Sequence, residues 1–183
     1  HTAIFLYHLM VKAMVPFNRK AKLFVQGRRN WLPRLRASID NQSKYIWFHC
    51  ASLGEFEQGR PVIEAIRKEY PQYKLVLSFF SPSGYEIRKN YPLADVVCYL
   101  PADTPKNAIL FLDTIHPEKV FFIKYEFWFN YLNELAKRNI PLYLISGIFR
   151  KDQRFFSKMP WGNWFRNSLR PFSHFFVQDE DSA

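Results

Sequence analysis

From residue 44 onward six short apolar runs recur, and none of them alternates apolar with polar residues. They are Tyr45-Ile46-Trp47-Phe48, Lys74 to Phe80, Asp95 to Leu100, Lys119 to Ile123, Leu142 to Ile145, and His174 to Val177. A strand with one wet face alternates, whereas a strand covered on both faces is apolar throughout. The runs therefore predict a mostly parallel sheet buried between helices. Helical stretches separate them as that arrangement requires. Over residues 55–69, Val62, Ile63 and Ile66 share one face while Glu57, Arg60, Glu64, Arg67 and Lys68 lie elsewhere. Further helices are expected through Ile87 to Asn90, from Thr104-Pro105 to about Thr114 with Pro at the first position, over Trp128 to Arg138, and over Phe155 to Leu169 with a break at Pro160. Strand–helix–strand units cross over right-handed, which gives a doubly wound α/β fold. Ligands of such sheets bind beyond the carboxyl ends of the strands. Residues 49–55, 78–84 and 124–128 are thus the favoured places for a site.

With 183 residues, a domain can hide roughly 70% of its unfolded surface. No stretch approaches the ~20 apolar residues of a spanning helix. No secretory signal is visible, because no small-residue cleavage site follows the apolar start. Two cysteines, Cys50 and Cys98, make neither a disulfide framework nor a four-thiolate metal site, and they fit a reducing compartment.

The net charge of +10 is unevenly placed. No acid precedes Asp40, and Lys12, Arg19, Lys20, Lys22, Arg28, Arg29, Arg34 and Arg36 give residues 1–39 a charge of +8. This arm opens with the apolar run Ile4 to Val15, ended by Pro16-Phe17. As a helix the run is roughly 18 Å long, too short for a hydrocarbon core ~30 Å thick and suited to lie in an interface. Cations interleaved with Phe17, Leu23, Phe24, Val25, Trp31 and Leu32 describe a segment for an anionic membrane surface. The alternatives are a helix packed on the domain with solvated charges, or a nucleic-acid arm. The aliphatic start counts against nucleic acid, since phosphate binding does not need it.

Ser52-Leu53-Gly54-Glu55 follows the first strand. Gly54 permits a tight strand-to-helix turn, and Glu55 then stands in the first helical turn at the mouth of the sheet. The positive helix end favours its charged form, and partial burial opposes it. Such a carboxylate is a candidate general base for a sugar hydroxyl. The competing reading is a capping box between Ser52 and Glu55. His49, as a single histidine, reads as a satisfied core or loop residue. No metal-ligand spacing, phosphate-binding glycine loop or nucleophile elbow is present in the sequence.

Taken with its context, Ile46-Trp47-Phe48-His49-Cys50-Ala51-Ser52-Leu53-Gly54-Glu55 resembles the IWIHAxSxGE stretch of 3-deoxy-D-manno-octulosonic acid (Kdo) transferases. Leu6-Tyr7 with Val15-Pro16-Phe17 is similar to that family's N-terminal anchor, and Gln26-Gly27-Arg28-Arg29 to its KGR element. Ser78 to Gly84, with Ser81-Pro82, resembles its S/T-P-x-G loop; Leu100-Pro101-Ala102-Asp103 its LPxD; Tyr125-Glu126-Phe127-Trp128 the end of its E-x-E-x-W; and Val177-Gln178 its last strand end. These elements keep their order across nearly the whole chain.

The resemblance implies a GT-B glycosyltransferase, in which two Rossmann-like domains face a cleft. Such an enzyme transfers Kdo from CMP-Kdo to lipid A precursor at the cytoplasmic face of the bacterial inner membrane. Residues 1–39 would be the membrane-associating arm, peripheral or N-terminally anchored. Residues 40–183 would be the Rossmann-like acceptor-binding domain, with the donor-binding domain absent from this chain, which alone would be inactive. Glu55 takes the place of the catalytic base. Ser52, Gly54, Ser81, Lys124, Glu126, Arg28 and Arg29 fall at acceptor-binding positions. No cofactor and no metal are implied. One departure stands out: Lys124 replaces the first acid of E-x-E-x-W. Lys124 and Glu126 either serve the site, Lys124 pairing with Glu55 or with a substrate carboxylate or phosphate, or simply end a strand and start a helix. The basic run Arg150 to Arg154 would extend the cationic surface. The competing functions are a non-catalytic module that binds anionic lipid or nucleic acid, and a GT-B transferase with another sugar donor.

Overall fold

The structure, a computed structural model, describes residues 2–124, 127–149 and 166–180. Three helices come first: α1 (Thr2–Ala13), α2 (Arg19–Gly27) and α3 (Trp31–Ser38). They are followed by β1 (Lys44–Cys50), α4 (Leu53–Glu69), β2 (Tyr73–Phe79), α5 (Pro82–Arg88), β3 (Val96–Tyr99), α6 (Pro105–Ile115), β4 (Pro117–Ile123), α7 (Phe129–Lys137), β5 (Leu142–Gly147) and β6 (His174–Val177). Each of the six expected strands is present. The helix expected over Phe155 to Leu169 lies mostly outside the described residues, as does the basic run Arg150 to Arg154.

Every strand pair is parallel, and the order is β3-β2-β1-β4-β5-β6. The chain moves outward from β1 to β3, then returns to the other side of β1 with β4. The strand order therefore reverses between β1 and β4, the kind of switch point at whose carboxyl ends doubly wound sheets bind ligands. The fold is an α/β, Rossmann-like parallel sheet with helices on both faces.

The two faces hold separate cores. On one, Phe56 and Ile63 of α4 pack against Ile46, Phe48, Leu75, Leu77 and Ile123. On the other, Phe111, Leu112, Tyr131 and Leu135 of α6 and α7 cover Trp47, Val76, Val120 and Phe122. Burial of each such side chain is worth about 1.5–3 kcal/mol. Gly59 lets α4 lie close to the sheet, since a Cβ there would stand 2.7 Å from Cδ1 of Ile123.

Within residues 1–39 the helices divide. Leu35 of α3 joins the α6 core, and Phe24 of α2 is buried. On and just after α1, by contrast, Leu6, Tyr7, Leu9, Met10, Met14 and Phe17 are exposed, Phe17 at 90%. No described helix is long and apolar enough to cross a membrane.

Candidate active site

The carboxyl end of β1 feeds directly into α4. Ser52 is the N-cap residue in extended conformation, but its side chain makes no capping bond. Glu55 reaches back instead, and its Oε2 accepts from the Ala51 N–H at 2.5 Å. The expected capping box is thus half formed and displaced by one residue: the glutamate holds the residue before the cap, and the serine does not reciprocate. Gly54 adopts no left-handed conformation, since among the described glycines none has positive φ. The strand-to-helix turn does not use its freedom. What its missing side chain leaves is clear space, because a Cβ there would meet nothing within 4 Å. Glu55, half-buried, stands beside that opening.

The neighbouring strand ends converge on this point. After β2, the Ser81 N–H donates to the Ala51 carbonyl at 2.7 Å. The Ser81 Oγ caps α5, accepting from the Ser83 N–H at 3.2 Å. After β4, Lys124 sits at φ 62° and donates its N–H to the Ile145 carbonyl at 2.8 Å. Gly59 of α4 lies over Ile123, and Glu55 is one helical turn nearer the strand ends, ~6 Å along the axis. Glu55, following β1, and Lys124, following β4, therefore both stand at the carboxyl ends of these neighbouring strands. Backbone strain of the kind Lys124 carries collects at functional sites. Glu126 lies outside the described residues.

Arg28 has an internal role. Its guanidinium donates to the carbonyls of Leu100 (3.0 Å), Phe24 (3.2 Å) and Phe80 (2.7 Å). It also stacks on the Phe24 ring at 3.7 Å from the centroid. Burial draws its pKa down to about 10, so it stays charged at neutral pH. It pins α2 to the ends of β2 and β3. Arg29 is exposed; with Lys12 it lines a cavity of about 610 Å³ whose other walls include Phe24, Trp31 and Pro101.

Two sets of buried polar groups lie near these strand ends, and of them the sequence indicated only that His49 is a satisfied core or loop residue. Asp103 is almost fully buried, and its carboxylate accepts from the Asn130 and Tyr131 N–H groups of α7. It caps that helix from a distant loop. Burial, the largest influence, raises its pKa, and those hydrogen bonds oppose the rise. His49 and Ser78, both fully buried, bond to each other at 2.8 Å. Trp128 donates to His49 Nε2 at 2.9 Å and packs against Phe80 at 4.6 Å between ring centroids. The signal in the sequence was two polar residues interrupting apolar runs at the carboxyl ends of neighbouring strands. Among the described residues no group of three or more His, Cys, Asp or Glu is arranged to hold a metal ion.

Comparison with known proteins bears on the fold and the family. A Listeria monocytogenes crystal structure described as a UDP-N-acetylglucosamine 2-epimerase superposes with a TM-score of 0.54 at 10% identity, over 76% of this chain and 40% of that one. At that identity the likeness is one of fold. A 3-deoxy-D-manno-octulosonic acid transferase from Haemophilus influenzae is 32% identical over 98 residues, 52% of this chain and 23% of the relative. One from Chlamydophila psittaci is 26% identical over 190 residues, 98% of this chain and 43% of the relative. The chain spans less than half the length of these curated relatives. The sequence profile of the 3-deoxy-D-manno-octulosonic-acid transferases (kdotransferases) matches residues 26–183, which include the β1–α4 junction, the Ser81 loop and the strand end at Lys124, and the chain belongs to that family of glycosyltransferases.

Proposed function

We infer that this chain is the acceptor-side domain of a glycosyltransferase that moves Kdo from CMP-Kdo to lipid A precursor, with Glu55 as general base. One observation carries the reading: Glu55 stands half-exposed in the first turn of α4, beside open space over Gly54, at the point where the strand order reverses. In the reaction Glu55 takes the proton of an acceptor hydroxyl. The freed oxygen attacks the anomeric carbon of Kdo, and the bond from that carbon to the CMP phosphate breaks, so CMP leaves with the electron pair. General-base assistance of this kind contributes typically 10²–10⁴-fold. The donor is held chiefly by a second, donor-binding domain of a two-domain GT-B enzyme.

The acceptor is an acylated, phosphorylated sugar. Lys124 and Arg29 offer cations for its phosphates, Ser52 and Ser81 offer hydroxyls at the strand ends, and Gly54 leaves room for the ring. Glu126 belongs to the same acceptor set. Arg28 supports that set by holding α2 in place. The exposed apolar side chains on and after α1, with the cations that follow, seat the protein on an anionic membrane surface at the cytoplasmic face of the inner membrane, where each basic residue near the surface contributes about 1 kcal/mol.

The test is an assay of the full-length protein with CMP-Kdo and lipid A precursor. Release of CMP with a Kdo-bearing lipid product is the expected outcome. No transfer with this pair, but transfer from another activated sugar, would replace the donor assignment.

A further inference from the structure

The cavity of about 610 Å³ beside α2 falls within the size range of small-ligand sites, roughly 300–1,000 Å³, and its lining has a definite chemistry. Val15, Phe24, Trp31 and Pro101 supply apolar wall, while Lys12, Arg28 and Arg29 supply cations. No lining residue is acidic. Lys12 and Arg29 are exposed.

Arg28 is the informative member. The carbonyls of Leu100, Phe24 and Phe80 take three of its five N–H groups, and among the described residues no carboxylate pairs with it. After burial, the groups that bear on its charge are Tyr99, Tyr7, Tyr131 and Cys98 rather than acids. A sequestered cation without a counter-ion is costly, and carbonyl dipoles offset that cost without cancelling the charge. The fold thus sets an uncompensated positive charge against an apolar wall, with two further cations lining the same cavity. A phosphate joined to an acyl chain satisfies both parts. The phosphate accepts from the cations, and the chain covers the apolar side chains.

The place of the cavity selects the lipid. Pro101 follows β3, which lies two strands from β1 in the sheet, so the cavity stands roughly 10 Å from the end of β1 at ~4.8 Å per strand. A bonded path fixes that separation. Arg28 donates to the Phe80 carbonyl, the Ser81 N–H donates to the Ala51 carbonyl, and the Ala51 N–H donates to Glu55. An acylated disaccharide reaches across such a span. On the other side Lys12 and Val15 belong to the end of the arm whose apolar side chains are exposed.

We propose that this cavity is the subsite for one phosphate of the acceptor and the acyl chain next to it, Lys12 and Arg29 binding the phosphate and Arg28 supplying fixed charge in the wall, while the reacting hydroxyl lies at Glu55. The inference rests on the glycosyl-transfer reading above. It adds Lys12, from the N-terminal arm, to the acceptor's contacts.

The test uses full-length protein in neutral phosphatidylcholine vesicles, with lipid A precursor and the same lipid stripped of its phosphates as alternative acceptors. Lys12→Gln should raise the KM for the phosphorylated acceptor about fivefold, the worth of one basic residue near lipid, and leave the KM for the stripped acceptor within about twofold. Val25→Phe, which puts a ring into the cavity from its lining, should raise both. An unchanged KM in Lys12→Gln would overturn the proposal. So would an equal rise with both acceptors, which marks a general loss of membrane attraction. A folded Val25→Phe protein with both KM values unchanged would overturn the acyl-chain assignment. Lys12 is exposed, so Lys12→Gln decides the matter if Val25→Phe does not fold. Should the full-length protein transfer to neither acceptor, the functional reading fails by itself, and binding decides the subsite. Vesicles carrying lipid A precursor are then compared with vesicles of equal charge carrying phosphatidylglycerol. Stronger binding to the former, weakened in Lys12→Gln, supports the subsite, and equal binding to the two overturns it.

Discussion

Lys124 occupies the left-handed region, which costs an L-residue roughly 1–2 kcal/mol. Glycine relieves that cost and adds backbone entropy to the unfolded chain. Lys124→Gly should therefore leave stability unchanged or raise it by up to about 1 kcal/mol, while the KM for a phosphorylated acceptor rises. Equilibrium urea unfolding beside steady-state kinetics separates the two effects, and a clear loss of stability would show that the side chain serves the fold. Asp103 makes the opposite case, a charge retained for structure. Burial raises its pKa above the ordinary 3.8. Between that value and the raised one the folded chain holds a proton that the unfolded chain has lost, so this group's contribution to stability falls as pH rises through the window. Asp103→Asn cannot titrate and should flatten the profile of Tm against pH just above 3.8, where the raised group takes up its proton in the folded chain alone. Removing the cap altogether, as Asp103→Ala, should cost about 1 kcal/mol.

Among the elements, α4 positions the site through its closeness to the sheet. Gly59→Ala brings a methyl group to 2.7 Å from Ile123 Cδ1. The resulting overpacking should cost about 1–3 kcal/mol and displace Glu55, which a fall in both Tm and turnover would reveal. The strands were legible because burial on both faces demands unbroken apolar runs, and α4 because Val62, Ile63 and Ile66 mark one face. The partition of the N-terminal arm was not. Phe24 and Leu35 lie in a basic, mixed segment without clean periodicity, and only the fold shows that they face inward. Arg28 read as a phosphate contact because a sequence cannot show that its guanidinium meets three carbonyls. The place of Glu55 in the first turn of α4 was legible from its position after the first strand, whereas the Trp128–His49 bond joins residues 79 apart and needed the sheet to bring them together. The exposed apolar side chains of α1 lead to a further expectation. Deleting residues 1–17 should weaken binding to anionic vesicles while the urea midpoint changes little, and an unfolded product would make α1 a packing element instead.

At the scale of the molecule, the proposed site is shared with a second domain, and the chain spans less than half the length of its curated relatives. The isolated 183 residues should therefore show no transfer, and turnover by them would contradict a site shared between two domains. The concentrated positive charge of residues 1–39 invites a comparison of anionic vesicles with an oligonucleotide over a salt series. Retention on vesicles at salt concentrations that release the oligonucleotide is the expected result, and the reverse order would favour a nucleic-acid module. The most direct measurement is turnover of full-length Glu55→Gln with CMP-Kdo and lipid A precursor, alongside its unfolding curve. A loss of at least about 10²-fold with an unchanged unfolding midpoint is the expected result. Near-normal turnover in a folded Glu55→Gln protein would contradict Glu55 as the base.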